Sequence, residues 1–349
     1  NKFAISKVYF PKNITEIKSL IKGKTIARGL GRSYGDSSIQ PNSTIITKKL
    51  NKILHLDLKK GILSAESGIT VLKIIEEIVP YGWFLPVTPG SKFISLGGMI
   101  AADVHGKNHH KKGSFRNYVK ELTIINERKK LIKCSKKKNS TLFNYTIGGM
   151  GLTGIIYSCK FKLIKINSHL IEQKTIKSKN LKQTIQNIKK NYNCEYNVAW
   201  IDTSANKKNI GRSILFCGNH LKTKQKDIKK VTFKNNGLKI FNIFPNWILN
   251  SFTIKLLNTL FYNLTSEGKK KLSINDYFYQ LDKIKNSNIL YGGKGFISYQ
   301  FAIPYRNSEK AITDILKILQ INKVFSFVSV MKSLGRNDGY LSFGIKGFT

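Results

Sequence analysis

Acidic residues are scarce in this 349-residue chain: 19 Asp and Glu stand against 60 Lys and Arg, for a net charge of +41. Such an excess ordinarily points to nucleic acid or anionic lipid. Here the lysines are spread along the whole chain, with short clusters at 107–112, 136–138 and 269–271. No nucleic-acid fold motif accompanies them, so no specific nucleic-acid partner is expected. Cysteine is scarce as well. Cys134, Cys159, Cys194 and Cys217 form no C-x-x-C pair, and none has a histidine at metal-ligand spacing. That argues for free thiols in a reducing compartment rather than a zinc site. No apolar run reaches the roughly 18 residues of a membrane-spanning helix. The nearest, 240–260, is interrupted by Asn242, Asn246, Asn250 and Lys255 and reads as a buried or interfacial helix pair. No signal peptide is legible. The chain is expected in the cytoplasm, with a peripheral membrane contact as the variant of that placement.

What the chain does have is concentrated in residues 87–118, VTPGSKFISLGGMIAADVHGKNHHKKGSFRNY. Gly90, Gly97, Gly98, Gly106 and Gly113 let the backbone approach a ligand closely or take positive φ. Ala101 and Ala102 keep that approach open. His105, Asn108, His109 and His110 place polar groups beside the glycine-lined surface, and Asp103 is the one acidic residue. This composition suits a large cofactor with a pyrophosphate and a flat ring system. His105, His109 and His110 are metal-ligand types, but with Asp103 alone as a nearby carboxylate no metal is expected.

Residues 27–38, ARGLGRSYGDSS, follow the apolar Thr25-Ile26 and set Gly29, Gly31 and Gly35 around Arg28 and Arg32. Backbone N–H groups of such a loop can cradle phosphates, and the arginines add charge. The spacing is not the G-x-G-x-x-G that opens a helix after a strand. A formal match at Gly149, Gly151 and Gly154 runs into IIYSCKFKLI, which alternates like a strand, so a Rossmann nicotinamide site is rejected.

Together RGLGRSYGD, GGMIAADVHGKNHH and IGGMGLTGII resemble the vanillyl-alcohol-oxidase-type (PCMH) flavoprotein family and, within it, the decaprenylphosphoryl-ribose oxidase branch. Weaker echoes at 199–202, 278–282 and 299–301 carry the similarity along nearly the whole chain. The resemblance implies an α+β fold: a PCMH-type FAD-binding domain of two α+β subdomains over 1–166, then an antiparallel-sheet substrate (cap) domain over 167–349. The family extends past the equivalent of Thr349, where it carries a lysine near the flavin, so the substrate domain reads as C-terminally incomplete.

Periodicity agrees with this division. Residues 44–46, 61–65 and 122–125 read as short strands and 70–78 as an amphipathic helix. In the second half 181–190 and 309–319 read as helices, and 199–202, 213–217 and 296–303 as strands.

The resemblance assigns FAD to Ala27, Arg28, Gly29, Leu30, Gly31, Arg32, Ser33, Tyr34, Gly35, Asp36 and Ser37 around the pyrophosphate. Gly90, Ser95, Leu96, Gly97 and Gly98 should cover the dinucleotide, Ala102, Asp103, Val104 and His105 should run under the flavin, and Ile156 should touch it from the third segment. Some relatives attach FAD through a histidine in the first loop. Arg32 stands there, so the flavin is expected to be non-covalent. Oxidising a carbinol needs hydride transfer to the flavin and removal of the hydroxyl proton. Tyr34 and His105 are the candidates there, Gln300 for orienting a sugar, Trp200 for walling the pocket, and Ser329, with Met331, for the place where the family shows a polar and a thiol residue. The implied activity is FAD-dependent oxidation of a secondary hydroxyl of a sugar derivative, a polyprenyl-phosphoryl pentose, with a short-chain reductase as the implied partner. The alternatives are an aldonolactone or alditol oxidase, or a non-catalytic basic membrane- or RNA-binding protein on a flavoprotein scaffold.

Overall fold

A computed structural model describes residues 4–33, 35–223, 233, 238–239, 249–285 and 295–349. The fold is α+β. Its first layer is a parallel three-stranded sheet with Ser43–Ile46 between Lys7–Tyr9 and Thr25–Arg28. Helix α1 (Ile14–Leu20) makes the crossover. Its N-cap Asn13 accepts the Glu16 N–H at 2.9 Å, satisfying one of the donors that a helix start leaves open. Ile17, Ile21 and Ile45 form a small core with Ile125 and Ile155 of the next sheet.

That next sheet is antiparallel, in the order Ile53–Asp57, Ile62–Glu66, Ile155–Lys162, Val119–Ile125, Leu131–Ser135. Helix α2 (Val71–Ile78) packs on it because Val71, Ile74, Ile75 and Ile78 share one face and all are buried. Thr70 caps it through the Lys73 N–H. Three further helices join this half among the described residues, α3 (Leu96–Ala101), α4 (His109–Lys112) and α5 (Ser140–Thr146), whereas α6 (Leu181–Lys190) lies past the proposed boundary at 166 and 167 and packs on the sheet of the second half.

In the second half an antiparallel sheet runs in the order Gly268–Ser273, Leu170–Ser178, Ser213–His220, Tyr196–Ile201, Val330–Met331. Along Tyr196–Ile201 successive side chains alternate between faces. Ala199 and Ile201 meet α6 and the later helix spanning Ser308–Ile321, with Leu181, Ile185, Ile312 and Leu316. Trp200 points to the other face and packs edge-on against Phe261 of α7 (Ser251–Leu264), ring centroids 4.9 Å apart. After α7 come α8 (Ile274–Phe278) and α9, the Ser308–Ile321 helix.

One hydrophobic cluster crosses the proposed boundary: Phe84 packs on Phe278, and Tyr196, Tyr277 and Tyr279 belong to the same core as α2. Thr88 Oγ1 and Tyr279 Oη lie 2.8 Å apart, and the Asn197 N–H donates to the Lys107 carbonyl at 2.8 Å.

Two expectations shift. Over 296–303 only Ile303–Pro304 is a strand, pairing with Gly347–Phe348. The alternating apolar residues before it face solvent, Ile297 at 94% and Tyr299 at 81% exposure, and among the described residues no neighbouring strand takes up their ladder. Within 240–260 the described part is a single helix, α7, and 240–248 lie outside the described residues.

Candidate functional site

The first glycine loop leaves the strand Thr25–Arg28 and is held closed by its own arginine. Arg28 Nη1 donates to the Ser38 carbonyl at 3.2 Å and to Ser38 Oγ at 3.0 Å. Gly31 sits at φ 62°, and a Cβ there would fall 2.2 Å from the Arg28 guanidinium, so glycine is required for both reasons. A Cβ on Gly29 would fall 2.0 Å from Ser95 Oγ. The first loop and the start of α3 therefore touch with no room for a side chain between them. A Cβ on Gly98, by contrast, would meet only Ser95 Oγ at 3.2 Å, because that face of α3 opens into a cavity.

The cavity has a volume of about 190 Å³. It joins all three glycine segments. Ala27, Arg28, Gly29, Leu30, Gly31, Arg32, Ser33 and Ser37 line it from the first, Ser95, Gly97, Gly98, Ala102 and Val104 from the second, and Ile156 from the third. Of the other residues assigned to FAD from the sequence, Gly35, Asp36, Gly90, Leu96, Asp103 and His105 do not line it, and Tyr34 lies outside the described residues. Ser38, Thr47, Ser67, Ile94, Ala101, Met150, Gly151 and Gly154 also line it and were not assigned to FAD from the sequence. The signal for the last two was present: Gly151 and Gly154 belong to the G-x-G-x-x-G string and take φ 83° and 128°, which L side chains rarely adopt.

The lining contains two arginines and, among the described residues, no carboxylate. A glycine cradle with that charge fits the pyrophosphate of FAD. A wider depression of about 580 Å³ at Tyr145, Leu152 and Leu341 is bordered by Glu127 and suits such a group less.

Asp103 acts beside the cavity, not in it. It takes φ 41° after α3, and its buried carboxylate accepts from Ser114 Oγ and the Arg116 N–H, both at 2.9 Å, and from Ser342 Oγ. The turn that leads to His105 is thereby tied to the C-terminal strap, 333–349. His105 stacks on Phe343 of that strap, centroids 5.7 Å apart, and leaves Nδ1 buried without a partner. Burial pushes its pKa down to about 3, with the positive charges of Lys332 and His109 adding to the effect. His105 is thus neutral at physiological pH.

Sequence reading treated Lys107 only as part of a basic cluster. The fold buries it: Nζ donates to the Tyr277 carbonyl and lies 4.3 Å from the Tyr277 ring centroid. Burial, and then the charge of Lys332, lower its pKa to about 7. An amine poised near neutrality can exchange a proton at working pH. What made Lys107 unusual was the distant pair Tyr277 and Phe278 over it, which no local string announces.

The residues assigned to substrate are placed as follows. Trp200 is almost fully buried, with Nε1 donating to the Phe327 carbonyl at 3.0 Å. The Ser329 carbonyl accepts from the Ile201 N–H at 3.0 Å, so Ser329, immediately before the edge strand Val330–Met331, lies beside the strand that carries Trp200. Gln300 is exposed in the irregular segment before Ile303, where Thr349 Oγ1 donates to the neighbouring Phe301 carbonyl at 2.7 Å.

A cationic glycine cradle between two α+β subdomains defines a flavin-dinucleotide protein. The FAD binding domain family matches residues 6–135. The chain is 30% identical over 334 residues to the decaprenylphosphoryl-β-D-ribose oxidase of Mycolicibacterium smegmatis, covering 93% of this chain and 72% of that protein. It is also 30% identical over 135 residues to a D-lactate dehydrogenase of Anaerostipes hadrus, 37% of this chain and 28% of that one. With the L-gulonolactone oxidase 5 of Arabidopsis thaliana it shares 30% identity over 126 residues, 34% of this chain and 21% of the other. The chain belongs to the vanillyl-alcohol-oxidase-type (PCMH) FAD-linked oxidoreductases. It is an FAD-dependent enzyme acting on CH–OH groups.

Proposed function

We propose that the chain oxidises a secondary hydroxyl of a polyprenyl-phosphoryl pentose, with FAD held non-covalently. The observation that carries this is the extent of the similarity. Of the relatives above, the lactate dehydrogenase and the gulonolactone oxidase share about a third of the chain, whereas the ribose oxidase spans 93% of it and so shares the substrate half too. Substrate choice in such two-part enzymes resides in that half.

When bound, FAD supplies the two-electron acceptance that the side chains lack. The loop of Arg28 and Gly31 and the α3 segment of Gly97 and Gly98 hold it. The chain's own residues then manage the hydroxyl proton. His105, kept neutral by burial, can accept a hydrogen bond from that hydroxyl. Tyr34 is assigned to the same step, and Lys107 joins them as a buried amine able to take up the proton. Gln300 is assigned to the sugar, and Trp200 and Ser329 to the wall of the substrate half. A short-chain reductase that reduces the resulting ketone is the partner this chemistry calls for, and a polyprenyl-borne substrate calls for a peripheral contact with a membrane.

The test is anaerobic bleaching of the bound flavin. A short-chain polyprenyl-phosphoryl ribose should bleach it at least tenfold faster than an aldonolactone or an alditol at equal concentration. Faster bleaching by the lactone or the alditol overturns the substrate assignment.

A further inference from the structure

We propose that the outward face of α7 (Ser251–Leu264) docks on the headgroup region of an anionic lipid bilayer. The helix is inverted relative to an ordinary surface helix. Three of its polar residues, Asn258, Thr259 and Tyr262, point inward: Asn258 is fully buried, with Nδ2 donating to Asp202 Oδ1 at 3.0 Å and to the Ser326 carbonyl at 3.2 Å. Thr259 Oγ1 accepts from Arg212 Nη2 at 3.0 Å, and Tyr262 Oη donates to the Ser178 carbonyl at 3.3 Å. Its apolar residues point outward. Phe252 is 74% exposed and Leu264 77%, and Leu256, Leu257, Leu260 and Phe261 between them are exposed as well. At about 100° per residue these six cover roughly half the circumference. Only the uncharged Thr253 and Asn263 share that arc.

The apolar surface continues off the helix. Trp200 packs on Phe261 and bonds to the Phe327 carbonyl, which brings the exposed Phe327 and Val328 alongside α7.

Charge selects the occupant. Around the face, residues 249–275 carry Lys255, Lys269, Lys270 and Lys271 against Glu267 alone. Gly268–Lys271 is exposed edge strand directly after the helix, and Lys269 alone of its lysines has a carboxylate in reach among the described residues, Glu172 at 3.6 Å. A second copy of a chain with net charge +41 would meet this rim with like charge. An anionic lipid surface complements it, and an apolar face rimmed by lysines is the pattern of a helix lying in the interface plane. With 14 residues α7 is too short to span a bilayer, so the contact is with the surface. The inference rests on the polyprenyl reading only for its purpose, which is to bring the substrate half to where a lipid-borne sugar lies.

The test is vesicle flotation of the flavin-loaded full chain, which uses no substrate. The protein should float with phosphatidylcholine vesicles containing a quarter phosphatidylglycerol, and the bound fraction should fall at least tenfold on pure phosphatidylcholine. Leu256→Glu/Leu260→Glu should lower binding to the anionic vesicles at least tenfold, with FAD content and unfolding midpoint kept, since both side chains face solvent. If that double variant does not fold, Leu264→Asp at the exposed end should lower binding at least threefold. No flotation of the wild type, or flotation of folded variants at the wild-type level, overturns the proposal. So does light scattering that shows a wild-type dimer split by the variants, which would give the face to a second copy. Flotation without oxidation of a polyprenyl sugar would leave this inference standing and remove the substrate assignment.

Discussion

His109 Nδ1 accepts a hydrogen bond from the Gly335 N–H at 3.0 Å, joining the HGKNHH string to the strap 226 residues later. The bond places the imidazole proton on Nε2. A Cβ on residue 335 would fall 3.0 Å from the His109 carbonyl, so the glycine lets the strap come this close. Replacing His109 by Leu leaves the Gly335 N–H unpaired and should cost roughly 1–3 kcal/mol. His109→Asn keeps an acceptor and should cost less than half as much. Denaturant unfolding of the two variants measures the difference. Equal stability of His109→Leu and wild type would show that the strap is held by other contacts.

The proposal that FAD is held non-covalently rests on Arg32, expected from the family resemblance to stand in place of a linking histidine. Acid precipitation should release all flavin into the supernatant. Flavin retained by the denatured chain would refute the non-covalent assignment.

Gly98→Val tests the cavity through space, because the backbone at Gly98 is not in the positive-φ region and its Cβ would meet only Ser95 Oγ. The two methyl groups of valine would enter the cavity. FAD per chain should fall at least tenfold, with the unfolding midpoint within a few degrees of wild type. A folded variant with full FAD would place the dinucleotide elsewhere.

Tyr34→Phe removes one hydroxyl. If that group takes part in proton removal, flavin reduction by substrate should slow by roughly 10²–10⁴-fold with FAD content unchanged. Reduction at the wild-type rate would leave the proton to His105 and Lys107.

Acid should destabilise the fold through its buried histidines. Burial pushes His105 down to about 3, and His109 and His220 to about 4. Above about pH 6.5, the ordinary histidine value, these groups are neutral in both states and carry no penalty. Below it the unfolded chain takes up protons that the native state refuses, so stability falls with pH until about 4, by on the order of 1 kcal/mol per pH unit for each histidine. Calorimetry at pH 5.5 in buffers of different ionisation enthalpy should show more than one proton taken up per chain on unfolding. No net uptake would mean these imidazoles titrate normally.

Much of the architecture was legible locally. Helices 70–78, 181–190 and 309–319 lie where their apolar spacing put them, since a helix needs only neighbours at three and four residues to declare its face. Gly29, Gly31, Gly97 and Gly98 announced a close backbone approach, and their side-chain-free space now borders one cavity. The segment 296–303 failed for the opposite reason: alternation reports which side chains share a face, not whether a partner strand exists to bond the backbone.

What the sequence determined by itself was therefore chemistry carried by neighbouring residues: glycine strings suited to close backbone approach, the family they belong to, and a basic chain whose longest apolar stretches are interrupted by polar residues. What only the tertiary structure decided was who lies over whom. Asp103 reads as a cofactor residue in its string, yet Ser114, Arg116 and Ser342 turn it into the anchor of the strap. Lys107 reads as one lysine among many until Tyr277, 170 residues on, closes over it and burial lowers its pKa to about 7. The leucines of α7 read as part of a buried or interfacial helix pair until Asp202 and Arg212 draw one polar side of the helix inward and leave the apolar side facing out. In each case the deciding partner is remote in sequence, and burial and desolvation arise only from such long-range contacts.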